Sequence, residues 1–178
     1  IPVPSEDLCV VKSRGDFQLP ELAIIADAVT TPYQACMRAG LKKGDNVIIV
    51  GVTGGVGVYV AQMAKAFGAR TVVGIARDPE KLERALKYGA DFVINSANKD
   101  ENAVRNEFRE LCKAKGLSSN YGWIVFEVTG TPQGQAIALN LLSYIGKLIV
   151  IGFGLQKNEY SISRLMALSL IHISEPTR

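Results

Sequence analysis

Histidine is all but missing from this chain, with one residue, His172, in 178. A multi-histidine metal site is excluded within the chain, and a Ser-His-Asp or Cys-His nucleophile would have to rest on that single residue. Hydrolytic chemistry is therefore a poor candidate. Cysteine is sparse too: Cys9, Cys36 and Cys112 are odd in number and far apart. That spacing suits neither a disulfide framework nor a Cys-x-x-Cys zinc knuckle, so they read as reduced thiols. Aromatic residues make up 7%, too few for a base-stacking platform, and 20 Lys and Arg are interspersed among 17 Asp and Glu, a net charge of +3. No basic stripe for nucleic acid results. No window approaches about 18 uninterrupted apolar residues, and the first residues lack the basic-then-apolar layout of a signal peptide. Nothing marks the chain for membrane or export, and the cytoplasm is the expected location.

What is present is the balance of a globular domain, 48% hydrophobic and 21% charged with both signs mixed. Such a chain buries a sizeable core. Residues 1 to 20 carry prolines and no helical period. From Glu21, the spacing of Leu22, Ile25, Ala26, Val29, Tyr33 and Met37 predicts a helix that stops at Gly40, with Pro32 breaking or restarting it. Five β-branched runs come next: Asn46 to Val50, Thr71 to Ile75, Phe92 to Ile94, Trp123 to Val128, and Lys147 to Ile151. Helical patterns lie between them, at Gly55 to Phe67, Pro79 to Tyr88, Asn102 to Lys115 and Pro132 to Tyr144. Pro79 and Pro132 occupy first-turn positions, and Gly68, Gly89, Gly116 and Gly146 come after the last turns. Alternation at this spacing predicts an α/β fold with right-handed crossovers and one parallel, doubly wound Rossmann sheet. The segment after Gly154 is short of a full final unit, so the sheet is expected to be truncated before its last strand.

The first strand runs directly into Gly51-Val-Thr-Gly-Gly-Val-Gly57. At such a junction the first N–H groups of the helix have no internal partner, and the helix dipole adds positive charge, so a pyrophosphate satisfies both. Counted back from Gly57, the dinucleotide fingerprint assigns Gly57 to helix–strand packing and Gly54 to close approach of the phosphate. Its first glycine position is then Val52, a departure. The motif comes after a buried strand and opens an apolar helix in an alternating chain, which favours a cofactor cradle over a mere bend. At the end of the second strand, Thr71-Val-Val-Gly-Ile-Ala-Arg77-Asp78 puts Ala76 where an acid would bind the adenosine ribose. Arg77 suits a 2′-phosphate, Asp78 could still reach the ribose, and Arg77 reads equally as a solvated charge at the helix entry. NAD against NADP stays open on these residues.

Four stretches carry a family resemblance: Ala26-Asp-Ala-Val-Thr-Thr-Pro-Tyr-Gln-Ala35, the glycine turn itself, Lys81-Leu-Glu-Arg-Ala-Leu-Lys-Tyr-Gly-Ala-Asp91, and Phe126-Glu-Val-Thr-Gly130. Over residues 1 to 168 the chain resembles the coenzyme domain of the medium-chain, zinc-type alcohol dehydrogenases, and within them a branch acting on cyclic hydroxy-enoyl-CoA thioesters in anaerobic benzoyl-CoA degradation. The resemblance implies that residues 1–20 end a GroES-like catalytic domain, that 21–168 form the dinucleotide-binding domain, and that 169–178, which leave the pattern, are a non-native tail. His172 then carries no function. It also implies NAD, with NADP not excluded, zinc in a full-length protein, a small-molecule substrate that is a CoA thioester, and a homo-oligomer.

Residue by residue, the resemblance puts Thr31 beside the nicotinamide and Gly54, Gly55, Val56 and Gly57 on the pyrophosphate. Ala76 takes the ribose-acid position, a departure from the NAD-type pattern, with the cofactor-side Arg77 next to it, and Lys81 matches a Lys that reaches the ribose. Val128, Thr129, Gly152 and Phe153 fall along the edge where the riboses lie. Asp27 matches the third catalytic-zinc ligand, whose partners would lie upstream. The implied activity is oxidation of a secondary alcohol to a ketone by hydride transfer, which the fragment would not perform alone. A zinc-free quinone or enoyl reductase and a non-enzymatic dinucleotide sensor are the rivals. A short-chain dehydrogenase is disfavoured, because the chain has no Tyr-x-x-x-Lys pair.

Overall fold

The computed structural model describes residues 11–13, 15–157 and 159. Expectations that fall on Cys9, on His172, on most of residues 1–20 and on the tail 169–178 lie outside the described residues. The elements are α1 (Leu19–Leu22), a 3-10 turn (Ala23–Ala26), α2 (Thr30–Arg38), β1 (Asn46–Val50), α3 (Gly55–Ala66), β2 (Thr71–Ala76) and α4 (Pro79–Lys87). They continue as β3 (Phe92–Asn95), α5 (Glu101–Ala114), β4 (Trp123–Glu127), α6 (Pro132–Leu141) and β5 (Lys147–Val150).

All strand pairings are parallel, and the sheet order is β3-β2-β1-β4-β5. Chain order therefore reverses between β1 and β4, a topological switch point. The β1 run is apolar throughout because both of its faces are covered. Val47 and Ile49 pack with Val60, Ala61 and Ala64 of α3 and with Leu82 and Ala85 of α4. Ile48 and Val50 pack with Val104 and Phe108 of α5 and with Ile137 and Ala138 of α6. Each such Val or Ile contributes about 1.5–3 kcal/mol by leaving water. Trp123, at the start of β4, meets Phe108 edge-on at 5.0 Å and donates its indole N–H to the Ser118 carbonyl at 2.7 Å. A large ring is thus buried without an orphan donor.

Asp91 ties the layers on the other face. Its carboxylate accepts from Lys65 Nζ at 2.6 Å and from the Val72 N–H at 2.7 Å, joining the end of α3 to the start of β2. Lys147 Nζ donates to the Ala39 carbonyl at 2.6 Å, placing a cation on the C-terminal end of α2.

The early helix is interrupted and restarted, as Pro32 predicts: the helical run stops at residues 27–29 and resumes at Thr30, with Pro32 in the new first turn. The expected single apolar stripe is what differs. The stripe Ile25, Tyr33 and Met37 is exposed, while Pro32, Ala35, Cys36 and Ala39 are buried on α3. Two short helices out of phase cannot share one apolar stripe, and small residues allow the closer approach. The expected stop at Gly146 also differs: α6 ends at Leu141, and the left-handed residue is Ile145 (φ 50°). Gly146 is required for space instead, since a Cβ there would stand 2.8 Å from the carbonyl oxygens of both Ser143 and Trp123.

Candidate functional site

A cleft of about 210 Å³ opens at the carboxyl ends of β1, β2 and β4, beside the switch point. Val50, Gly51, Thr53 and Gly54 form its floor, Ile75, Ala76, Arg77 and Ser96 one side, and Val128, Thr129, Thr131 and Gln133 the other.

The floor is made by the glycine turn. Gly51 has φ 98°, and a Cβ on it would meet Thr129 Cγ2 at 2.7 Å and Val128 Cγ2 at 2.9 Å. Gly57 is needed for a different reason: its Cβ would stand 2.1 Å from the Gly51 carbonyl oxygen, so only glycine lets α3 start this close to β1. Gly51 thus makes the tight turn one residue earlier than the fingerprint puts it. Val52 is fully buried over Gly74 of β2, where a Cβ would meet Val52 Cγ1 at 2.7 Å. The missing fingerprint glycine is therefore matched by a glycine in the neighbouring strand. Gly54 and Gly55 are different again. A Cβ at Gly54 would find only ordinary contact at 3.5 Å, and one at Gly55 nothing within 4 Å. Protein packing does not require glycine at either position, and both border open space.

The N-terminus of α3 has no capping side chain and no acidic residue in its first turn. The other three crossover helices are capped from within: Asp78 accepts from Lys81 N–H, Asp100 from Ala103 N–H at 2.7 Å, and Thr131 from Gly134 N–H at 3.1 Å. The free N–H groups and dipole of α3, facing a cleft whose lining glycine leaves room, fit a pyrophosphate.

Glu127 is the one fully buried carboxylate among the described residues, at 0% exposure on the end of β4. It accepts from the Thr129 N–H at 2.7 Å, from the Thr129 hydroxyl, and from the Gly130 N–H at 3.1 Å. Its own carbonyl accepts from the N–H groups of Ile151 and Gly152 at 2.8 and 3.0 Å. Such donors offset the desolvation of a buried charge. One residue thereby holds together the loop carrying Val128 and Thr129 and the segment carrying Gly152 and Phe153.

Of the sequence-predicted residues, Gly54, Ala76, Arg77, Val128 and Thr129 line the cleft. Gly55, Val56 and Gly57 form the first turn of α3 at its edge. Lys81 lies in α4 with its Nζ 3.7 Å from Asp78 and does not line the cleft. Gly152 adjoins the 128–130 loop through Glu127, and the Phe153 side chain is 86% exposed. Asp78 is occupied in capping α4. Its carboxyl is held below the usual carboxylate range chiefly by the Lys81 backbone N–H, against a smaller opposing effect of desolvation.

Thr31 and Asp27 pair with each other, the Thr31 hydroxyl donating to Asp27 Oδ1 at 2.9 Å, and neither lines the cleft. Among the described residues no three His, Cys, Asp or Glu side chains come together. Zinc needs three protein ligands, so these residues do not by themselves fit one. Cys36 and Cys112 are free and buried, and burial pushes both thiols up to about 11, which leaves little reactive thiolate at neutral pH.

Sequence reasoning missed Ser96, Gln133 and the role of Glu127. Ser96 comes directly after β3, at the carboxyl edge where ligands bind, and Glu127 closes an otherwise apolar strand. Both positions were visible signals. Gln133, which lines the cleft, donates to the Lys99 carbonyl at 2.9 Å, a pairing of residues 34 apart that no local pattern carries.

A family model described as zinc-binding dehydrogenase matches residues 55–175. The chain is similar to an NAD-dependent alcohol dehydrogenase of Sulfurisphaera tokodaii, 29% identical over 74% of this chain and 36% of that protein. It is 32% identical to an acryloyl-coenzyme A reductase of Metallosphaera sedula, over 82% of this chain and 41% of the relative. Among solved structures it is similar to galactitol-1-phosphate dehydrogenase from Escherichia coli, with a TM-score of 0.73 and 25% identity over 86% of this chain and 42% of that one. The chain thus spans well under half the length of these relatives. Among the described residues no helix is long and apolar enough to cross a membrane.

Proposed function

Because the chain belongs to the zinc-binding dehydrogenase family, we propose that it is the coenzyme-binding part of an NAD(P)-dependent alcohol dehydrogenase that oxidises a secondary alcohol to a ketone. The observation that carries this reading is the uncapped start of α3, opening on the cleft at the switch point beside two glycines that packing does not require. A bound nicotinamide dinucleotide supplies the hydride acceptor. The chain's own part is to bind and orient it. The N–H groups of Gly55, Val56 and Gly57 donate to the pyrophosphate, and Ala76 and Arg77, with Lys81 nearby, border the adenosine ribose. Val128, Thr129, Gly152 and Phe153 form the edge for the riboses, kept in register by Glu127. Thr31 contacts the nicotinamide, its hydroxyl oriented by Asp27.

Asp27 contributes one carboxylate to a catalytic zinc in the full-length protein. Its remaining ligands would have to come from outside the described residues. The substrate reading is a cyclic hydroxy-enoyl-CoA thioester such as 6-hydroxycyclohex-1-ene-1-carbonyl-CoA. It is supported by the sequence resemblance and by relatives named for acryloyl-coenzyme A. The reductase activity in those relatives' names also supports a second reading, the quinone or enoyl reductase using the same cleft, which would need no zinc.

The test has two parts. Titration of the 178-residue chain with NAD(P)H, monitored by nicotinamide fluorescence, is expected to saturate, and no binding would overturn the coenzyme reading. For the full-length protein, bound zinc and ketone formation from the hydroxy-enoyl-CoA are expected, both reduced by Asp27→Ala. A metal-free protein that reduces enoyl-CoA instead selects the second reading.

A further inference from the structure

The adenosine end of the cleft has a charge pattern of its own. Ala76 stands at the tip of β2, where an acidic residue would accept both ribose hydroxyls and repel a 2′-phosphate, and it is buried and apolar. Asp78, the nearest carboxylate in sequence, cannot replace that acid. It caps α4 through the Lys81 N–H and lies 3.7 Å from Lys81 Nζ, and it does not line the cleft. Arg77 is exposed and does line it.

Ser96 is the independent observation. It is only 5% exposed, lines the cleft, and among the described residues no protein group bonds its hydroxyl. The hydroxyl is not itself sealed off, since Asn46 Oδ1 is the one buried side-chain polar atom without a partner among the described residues; the Ser96 hydroxyl opens on the cleft and is free to donate there. Its position is set by the sheet: Ala76 pairs in register with Asn95, and the Ser96 N–H donates to the Ala76 carbonyl at 2.8 Å. Arg77 and Ser96 are therefore the residues that leave two neighbouring strands side by side. The cleft thus holds a guanidinium and an unpartnered hydroxyl around an apolar tip, with no carboxylate among its lining residues.

We propose that this corner is a 2′-phosphate subsite, formed by Arg77 and Ser96, and that the chain prefers NADP(H) to NAD(H). The inference rests on the dinucleotide reading of the cleft. Arg77 supplies a charge-assisted donor pair to the phosphate, Ser96 a neutral donor, and Ala76 the room and the absence of repulsion.

Isothermal titration of the 178-residue chain with NADP+ and NAD+ separately tests the inference. NADP+ is expected to bind about tenfold or more tightly than NAD+, with the gap narrowing as salt is raised. Arg77→Ala should lower the NADP+/NAD+ affinity ratio about tenfold, Ser96→Ala by less, and Ala76→Asp should invert it. Equal or tighter binding of NAD+, or a ratio unmoved by Arg77→Ala, overturns the subsite while leaving the coenzyme reading intact. Failure of both dinucleotides to bind overturns the coenzyme reading and the subsite with it.

Discussion

The turn from β1 into α3 and the turn from β2 into α4 do the same topological work with opposite chemistry. Both leave a parallel strand and start a crossover helix on the same face of the sheet. The second turn is complete in itself: Asp78 caps the helix, Pro79 fills N1, and the acidic first turn meets the dipole. The first turn has none of these, only Gly54, Gly55 and Gly57. A helix start satisfied from within has nothing left to offer a ligand. The unsatisfied start is stabilised less by its own residues and is available to a phosphate. The same contrast separates α3 from α5 and α6, so the cradle is marked as much by its neighbours' own caps as by its glycines.

Three substitutions separate the two helix starts. The largest effect is expected from Gly57→Ala, because its Cβ would stand 2.1 Å from the Gly51 carbonyl oxygen and the start of α3 must move off β1. A loss of about 3 kcal/mol in urea denaturation is expected, together with loss of dinucleotide binding. Unchanged stability would mean that helix–strand contact is not what requires glycine there.

A sharper separation comes from Gly54→Asp. The position has extended backbone angles (φ −78°, ψ 168°) and room for a Cβ, so an aspartate there can cap α3 as Asp78 caps α4. Thermal stability should hold or rise by a few tenths of a kcal/mol, while dinucleotide affinity falls at least about tenfold, because a carboxylate now occupies the phosphate's donors. Retained binding would show that the start of α3 is not the anion site.

The smallest effect concerns the self-satisfied turn. The Asp78 carboxyl is lowered in the folded chain, mainly by the Lys81 N–H. Its contribution is therefore fully present at neutral pH, where the group is ionised folded and unfolded, and is lost as pH falls through the lowered native value. Asp78→Asn keeps a good cap and should flatten only the acid limb of the stability profile, leaving dinucleotide binding near neutral pH unchanged. An identical acid limb in the two proteins would remove Asp78 from the account.

Much of this was legible in the linear chain. Asn46–Val50 is bounded as its β-branched run predicts, and the other strands fall within a residue of theirs, because runs covered on both faces have a local signature. Pro79 and Pro132 start their helices where first-turn prolines belong. The early stripe from Leu22 to Met37 misled because its spacing spans the turn at residues 27–29, which sets the second half to a different face. Glu127 illustrates the other kind of gap. Its place in a strand is local, but its use depends on a loop and a strand end that meet only in the folded sheet.

By itself the sequence determined the alternation of strands and helices, the parallel sheet that alternation implies, and the glycine turn at the first crossover. Each of these depends on residues within a few positions of one another, acting through backbone sterics, periodicity and capping. Tertiary structure decided the rest. It brought Gly74 under Val52, so that a fingerprint lacking its first glycine still closes. It engaged Asp78 in a cap and left Ser96 beside Arg77 at the rim of the cleft, because parallel pairing sets side by side the ends of strands some twenty residues apart.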